Sequence, residues 1–277
     1  MRFTKMEGCG NDYIYVDVTE QPVHDPEDFA IRFSDRHFGI GADGLITIGR
    51  SGTADFSMHI YNADGSEAQM CGNGIRCAAR YVHDRGLTDK DELTIETLSG
   101  PRTVRLLLEN GKAVRVRVDM GAPSLLARDV PVVGLGSIVT EKSVHVAGRD
   151  WIMTCVSVGN PHAVVWTDDA ASVDLPVIGP LFENHDMFPE RVNTEFVQII
   201  DRENIRMRVW ERGSGETIAC GTGAAASAFA CMTAGRCAYR VNVHLDGGDL
   251  EIEYDEASGH LFMTGAATFV FDGEVDW

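Results

Sequence analysis

The sequence is poor in positive charge. It sets 24 lysines and arginines against 42 aspartates and glutamates, a formal net charge of −18 over 277 residues. Nucleic acid and anionic membrane surfaces are held by Lys/Arg patches, so neither is expected as the main partner. No 18 apolar residues run together, and no transmembrane helix is predicted. The opening residues, Met1-Arg2-Phe3-Thr4-Lys5-Met6-Glu7, lack the apolar core and cleavage site of a signal peptide. Seven cysteines are present, at 9, 71, 77, 155, 220, 231 and 237, and no two have C-x-x-C spacing. That argues against a zinc knuckle or a thioredoxin-type site. An odd, scattered set fits free thiols in a reducing cytoplasm better than a disulfide framework. Neither a metal-ligand cluster nor a lysine placed for pyridoxal phosphate is evident, so no metal and no cofactor are expected. What remains is a globular composition, 44% hydrophobic and 24% charged. It is enough for one large domain or two of about 140 residues, each able to bury a core.

The chain matches itself at one fixed offset. Cys71-Gly72-Asn73-Gly74 and Cys220-Gly221-Thr222-Gly223 share the pattern C-G-x-G, 149 residues apart. Without gaps, the same offset pairs Met58 with Met207, Tyr61 with Trp210, Glu67 with Glu216, Gly86 with Gly235, and Gly10-Asn11 with Gly159-Asn160. Solenoid repeats run about 20–50 residues, so this period signals two homologous halves related by a pseudo-twofold axis.

Each half reads the same way. Runs rich in β-branched and aromatic residues, at 13–16, 44–48 and 57–61, recur at 162–166, 194–199 and 206–210 as predicted strands. After each C-G-x-G comes a predicted helix, 75–85 stopped by Gly86 and 224–234 stopped by Gly235. The second helix is small and apolar all round, as befits one buried on every side. More strands follow at 92–96, 103–108, 241–244 and 250–254. One further helix opens at Asp25-Pro26 and runs to about His37. The fold class is α+β: two sheet-rich, barrel-like halves, each wrapped around a central helix, with the active site in the cleft between them. The expected division is 1–118, joined by a C-terminal strand of about 266–277, and 119–265.

Two glycine motifs imitate nucleotide loops. Gly39-Ile40-Gly41-Ala42-Asp43-Gly44 fits G-x-G-x-x-G but follows a helix and precedes a strand, the reverse of the Rossmann order. Gly221-Thr222-Gly223-Ala224-Ala225-Ala226 does open a helix. A matching loop opens the other helix, however, and one nucleotide site does not explain the duplication. Both loops instead offer backbone N–H groups to an anion.

Cys71 and Cys220 each precede such a loop, where the helix dipole favours a thiolate. The dipole is worth roughly 0.3–1 kcal/mol, less than one pKa unit, so it helps form a thiolate without making a strong base. Two identical acid/base groups on opposite sides of one cleft suit removing a proton from one face of a carbon and returning it to the other. That is stereoinversion. The carbanion would need preorganised donors on the adjacent carboxylate, which the N–H groups at Gly72-Asn73 and Gly221-Thr222 can supply.

These residues resemble the diaminopimelate epimerases, two-cysteine amino-acid racemases that use no pyridoxal phosphate. The resemblance rests on Met6-Glu7-Gly8-Cys9-Gly10-Asn11-Asp12, Arg36-His37-Phe38-Gly39-Ile40-Gly41-Ala42-Asp43, Tyr61-Asn62-Ala63-Asp64-Gly65-Ser66 and Met70-Cys71-Gly72-Asn73-Gly74. It continues through Gly159-Asn160-Pro161-His162, Arg191-Val192-Asn193, Glu211-Arg212-Gly213 and Ala219-Cys220-Gly221-Thr222-Gly223. It implies interconversion of LL- and meso-diaminopimelate, in lysine and peptidoglycan-precursor synthesis, with no cofactor and as a homodimer. Carried over, Cys220 deprotonates the LL substrate and Cys71 reprotonates it, while His162 and Glu211 assist. Asn11, Asn62, Asn160, Asn193, Glu211 and Arg212 match substrate contacts, with Gly72, Asn73, Gly221 and Thr222 on the carboxylate. Independently, Arg212 is a cation suited to a distal carboxylate.

The chain departs from the family at one point: many relatives carry Gln where Gly44 stands, so that side-chain contact is absent. Two other enzymes of similar architecture compete with this reading, a racemase of proline or histidine and a phenazine-type isomerase; the latter does not use a cysteine pair. From a different class, Cys71 and Cys220 could form a thiol redox sensor.

Overall fold

The computed structural model describes all 277 residues, which cluster into two compact units, Met1–Asp119 with Thr264–Trp277 and Met120–Met263. The first unit contains β1 (Arg2–Gly8), β2 (Asn11–Asp17), α1 (Pro26–Ser34), β3 (Gly44–Gly49), β4 (Phe56–Asn62), β5 (Glu67–Ala68), α2 (Gly72–Asp84), β6 (Glu92–Thr97) and β7 (Gly100–Glu109). The chain leaves it along β8 (Lys112–Gly121). The second unit holds β9 (Lys142–Val146), β10 (Arg149–Ser157), β11 (Pro161–Trp166), α3 (Leu175–Glu183), β12 (Asn193–Ile199), β13 (Asn204–Glu211), β14 (Gly215–Thr217), α4 (Gly221–Thr233), β15 (Arg240–Leu245) and β16 (Gly248–Asp255). The chain then returns through β17 (His260–Gly265) to β18 (Thr268–Glu274), which pairs antiparallel with β1.

The repeat in the sequence is a repeat in strand pairing. In the first unit β2 runs parallel to β3, with Tyr13 opposite Gly44; in the second β11 runs parallel to β12, with His162 opposite Asn193. Leu45 faces Tyr61 as Thr194 faces Trp210, and Ile60 faces Ala68 as Val209 faces Thr217. Even the surface pair His59–Glu67, at 2.9 Å, recurs as Arg208–Glu216 at 2.6 Å.

Each unit has its helix packed on these strands. All of α4 except Thr222 and Thr233 is buried, because alanine, glycine and serine let strands approach every side of it. Within α2 everything from Gly72 to Ala79 is buried, along with Val82, while the last turn is partly exposed. Both helices end in the same hydrogen-bonded turn. Gly86 and Gly235 take φ of 73° and 68°, and Leu87 and Arg236 donate back to Val82 and Cys231.

That turn corrects one expectation. Cys231 and Cys237 are joined as a disulfide, so not all seven cysteines are thiols. The reversal at Gly235 returns the chain against the helix end and sets the two Cα atoms 5.4 Å apart, within reach of a bridge. Spacing along the chain does not reveal this, since it depends on the left-handed glycine between them.

The helix starts also differ from the predicted ones: α2 and α4 begin at Gly72 and Gly221, three residues early. Glycine is a poor helix former, but here it forms a capped first turn. The helix opening at Asp25 stops at Ser34 rather than near His37, because Asp35 turns extended and its carboxylate takes the N–H groups of His37 and Phe38. The core of the second unit centres on Trp151, Phe182 and Phe196, packed edge to face with ring centroids 5.5–5.8 Å apart. Each such contact adds roughly 0.5–1.5 kcal/mol beyond area burial.

Candidate active site

Cys71 and Cys220 are the N-cap residues of α2 and α4, each in extended backbone with its sulfur folded over the helix start. Cys71 Sγ accepts the N–H of Gly74 at 3.3 Å, and Cys220 Sγ accepts that of Gly223 at 3.4 Å. This is the position an N-cap oxygen usually fills. The fourth residue of each C-G-x-G loop is closely packed: a Cβ at Gly74 would lie 2.6 Å from Ile46 Cδ1, and one at Gly223 would lie 2.7 Å from Glu195 Oε1. The motif therefore sets a sulfur on the positive end of a helix dipole and lets that end pack against a strand.

Around Cys71 the first unit builds a polar network. Asn11, at the start of β2, accepts from Cys71 Sγ at 3.3 Å and donates through Nδ2 to Asp43 Oδ2 at 2.7 Å. Arg36 pairs with Asp12 at 2.7 Å and with Asp43 at 2.8 Å, and buried Lys5 pairs with Asp12 at 2.6 Å. Burial alone would raise the Asp12 carboxyl, but hydrogen bonds from Arg36 and Lys5 outweigh it and hold the pKa below its ordinary value. Gly72 and Asn73 are buried, and Asn73 Oδ1 has no hydrogen-bond partner. Asn62 closes β4, donating to Ser66 Oγ at 3.0 Å, directly opposite Gly44 in the ladder. At Gly44 a Cβ would run into the carbonyl oxygen of Tyr61 and meet Tyr13 Cε1 at 3.0 Å. Glycine here is demanded by the closeness of β4, and the Gln of many relatives has no room.

The second unit surrounds Cys220 differently. Asn160 donates to Thr222 Oγ1 at 3.2 Å, and Thr222 Oγ1 lies 3.5 Å from Cys220 Sγ. His162 is wholly buried, with Nε2 2.9 Å from Asn160 Oδ1 and Nδ1 2.7 Å from Glu195 Oε1. Glu211 accepts from Thr217 and hydrogen-bonds Cys220. Burial pushes the Glu211 carboxyl up, against the hydrogen bonds of Thr217 and Cys220. Burial also pushes the Cys220 thiol well above its ordinary value, reinforced by the carboxylates of Glu211 and Glu195, against Thr222 and the N–H of Gly223. Asn193 donates to Pro161 O at 2.8 Å and accepts the backbone N–H of Arg212 at 2.8 Å. The guanidinium of half-buried Arg212 donates to Glu190 O at 3.1 Å.

Within the first unit, then, Asn11, Cys71, Gly72 and Asn73 come together, and Asn62 ends the strand beside Gly44. The second unit gathers Asn160, His162, Asn193, Glu211, Arg212, Cys220, Gly221 and Thr222. Sequence reasoning missed the anchors behind them, Asp43 with Arg36 and Lys5 in one unit and Glu195 in the other. The offset held a signal for Glu195, because it falls on Ile46, a core residue of β3. No cluster of three or more His, Cys, Asp or Glu side chains is placed to hold a metal ion. Neither Cys71 nor Cys220 is disulfide-bonded.

Relatives match this chain from end to end. The family model described as diaminopimelate epimerase matches residues 3–126 and 154–270. A diaminopimelate epimerase of Agathobacter rectalis is 57% identical, covering 100% of this chain and 99% of its own. That of Acetivibrio thermocellus is 51% identical over 100% and 99%, and one from Methanococcus maripaludis is 50% identical over 100% of both. Among solved structures, a phenazine biosynthesis protein of the PhzF family from Bacillus anthracis aligns with TM-score 0.70 at 18% identity, covering 100% of this chain and 99% of its own. A probable proline racemase from Agrobacterium radiobacter aligns at 0.68 and 17%, covering 99% and 92%. At such identities the likeness is one of fold alone. With a family match across most of its length and full-length relatives at half identity or better, the chain belongs to the diaminopimelate epimerase family.

Proposed function

We propose that this enzyme inverts one α-carbon of 2,6-diaminopimelate, interconverting the LL and meso forms, by proton transfer between Cys71 and Cys220. One observation carries the reading: the two cysteines occupy the same capping position on two helices of the same topology, each sulfur accepting the N–H three residues on. In the forward direction the Cys220 thiolate takes the α-proton of the LL centre and becomes a thiol. The electron pair left on carbon is delocalised into the carboxylate. The Cys71 thiol then delivers its proton to the opposite face and is left as the thiolate. After turnover the pair stands ready for the reverse substrate.

An α-proton is far less acidic than a thiol, so most of the barrier must be met by electrostatics. The first-turn N–H groups at Gly72-Asn73 and Gly221-Thr222 are the donors assigned to the reacting carboxylate. Glu211, hydrogen-bonded to Cys220, holds that thiol in place for proton transfer. Arg212 takes the distal carboxylate, with Asn11, Asn62, Asn160 and Asn193 shaping the polar ends of the pocket. His162 is enclosed with both nitrogens bonded, so its part is to position Asn160. The charged groups differ between the halves, as a substrate with two unlike ends requires: Glu211-Arg212 falls at the offset of Asn62-Ala63. The scheme asks for no cofactor. We assign the enzyme to lysine and peptidoglycan-precursor synthesis in the cytoplasm, and no helix is long and apolar enough to cross a membrane. The assembly assigned to it is a homodimer, tested by sedimentation equilibrium.

The reaction is tested by proton NMR of fully reduced enzyme in heavy water with LL-diaminopimelate, and with proline, histidine and glutamate as controls. Deuterium at the diaminopimelate α-position, meso product and silent controls are expected. Exchange in a control alone would reassign the substrate, and no exchange in any would overturn the two-thiol reading. Cys71→Ala and Cys220→Ala should each abolish epimerisation with the fold intact.

A further inference from the structure

Glu195 and His162 meet at 2.7 Å with both side chains wholly buried. The second carboxylate oxygen, Oε2, is buried without a partner. The first unit contains its own control. At the same offset Tyr13 stands for His162 and Ile46 for Glu195. Ile46 Cδ1 packs beneath Gly74 just as Glu195 Oε1 packs beneath Gly223. The same strand position under the same helix start is thus apolar in one unit and a carboxylate in the other. Burying that carboxylate is costly, and an apolar side chain demonstrably satisfies the fold.

The hydrogen bonds around the pair run in one direction. Asn160 Oδ1 can only accept, so His162 Nε2, at 2.9 Å, carries a hydrogen. His162 Nδ1 meets the carboxylate at 2.7 Å, so one hydrogen is shared between the two. With its oxygen held by His162, Asn160 turns Nδ2 to Thr222 Oγ1 at 3.2 Å. That oxygen accepts there, which directs the threonine hydroxyl hydrogen to Cys220 Sγ at 3.5 Å. Without the carboxylate, neutral His162 can carry its hydrogen on Nδ1 instead. Asn160 then reverses, and the threonine hydroxyl is drawn to the amide oxygen and away from sulfur.

We propose that Glu195 is a positioning residue for Cys220: through His162, Asn160 and Thr222 it keeps a hydroxyl donor on that sulfur, stabilising the thiolate that Cys220 becomes when it acts as base. In the first unit Asn11 presents its acceptor oxygen to Cys71 and Tyr13, at the offset of His162, hydrogen-bonds that sulfur directly, so no buried carboxylate acts on it through a histidine there. Other titratable groups facing this cluster are Glu211 on β13, Cys155 on β10 and Cys220 itself.

The proposal rests on the two-cysteine reading above, and the test separates the two. A diaminopimelate carrying a halogen at the β-carbon reports one thiolate at a time. The thiolate takes the α-proton, the electron pair forms the α,β double bond, and halide leaves. In a Cys71→Ala background only Cys220 can drive this; in a Cys220→Ala background only Cys71 can. Glu195→Gln and Glu195→Ile, the latter copying Ile46, are added to each full-length background, with circular dichroism confirming the fold. Halide release driven by Cys220 should fall roughly tenfold, the worth of about one hydrogen bond. Loss of the Glu195 charge would by itself lower the Cys220 thiol pKa, and loss of the hydroxyl donor would raise it. The proposal therefore requires the alkaline rise to move to higher pH, with release driven by Cys71 changing less than twofold; a move to lower pH would overturn it. Equal loss in both backgrounds would make Glu195 merely structural, and no loss in either would end the proposal. If neither parent background releases halide, the two-cysteine reading itself fails.

Discussion

Arg76 is the sharpest test of how the first unit is held. It is fully buried on α2, its Nε donating to Ala266 O at 3.0 Å and one terminal nitrogen to Gly72 O at 3.0 Å. The first bond ties the returning C-terminal segment to the helix; the second braces the residue beside Cys71. At the repeat offset the second unit has Ala225, also fully buried, so the arginine is not a requirement of the helix itself. Arg76→Met keeps most of the stem volume and removes the donors. Two carbonyls lose charged partners, at roughly 1.5–3 kcal/mol each. Part of that is returned because a guanidinium need no longer be buried. A net loss of about 2–4 kcal/mol remains, a large share of a typical total stability of about 5–15 kcal/mol. Arg2→Met is the control: it breaks the exposed Arg2–Glu20 pair of 3.2 Å, worth under about 1 kcal/mol. Urea unfolding followed by circular dichroism should separate the two variants. Epimerase activity measured below the transition should fall in Arg76→Met alone. Equal midpoints for the two variants would refute the account of Arg76.

Gly44→Gln, which installs the residue common in relatives, should destabilise the enzyme by roughly 1–3 kcal/mol by forcing β4 away from β3, and thermal unfolding will read it. A melting temperature equal to that of the parent would show that the strand moves freely. Because the Cys220 thiol is raised well above its ordinary value, chiefly by burial, kcat/KM for the LL substrate should climb by up to about tenfold per pH unit from pH 6.5 to 8.5. A flat profile there would mean that the thiolate is already formed. Thiol titration of enzyme unfolded without reductant should find five reactive sulfurs, rising to seven after reduction. Breaking the Cys231–Cys237 bridge should cost roughly 2 kcal/mol for so short a loop. Seven thiols from the start would remove the bridge.

The α+β class and the internal repeat were legible in the sequence, the repeat because the chain is duplicated. Cys71 and Cys220 stand out from five other cysteines only through their shared register, and that register reappears as identical strand pairing. The strands were readable for a related reason, since β-branched and aromatic runs bounded by turn residues carry their own local signal. Helix α3 carried no such signal. Pro176 suits the first turn, but Gly179 and Pro180 disfavour a helix interior. Residues Leu175–Glu183 nevertheless form one, with Gly179 pressed against the ring of Trp210. Tertiary contact overrides propensity there.

Local sequence determines what depends on neighbours along the chain: periodicity, caps, turn glycines and the motif that sets a sulfur on a helix start. Tertiary structure decided what depends on distance through space. Asp43 lies 32 residues from the asparagine it orients, Glu195 33 residues from its histidine, and Ala266 190 residues from Arg76. Residue type alone does not announce such partners, because a carboxylate on a strand reads as solvent-facing until a second strand and a helix enclose it. Enclosure also pushes Cys220 above an ordinary thiol and Glu211 above an ordinary carboxylate. A pKa is set by the loss of water and the nearness of charge, and both exist only once the chain has folded.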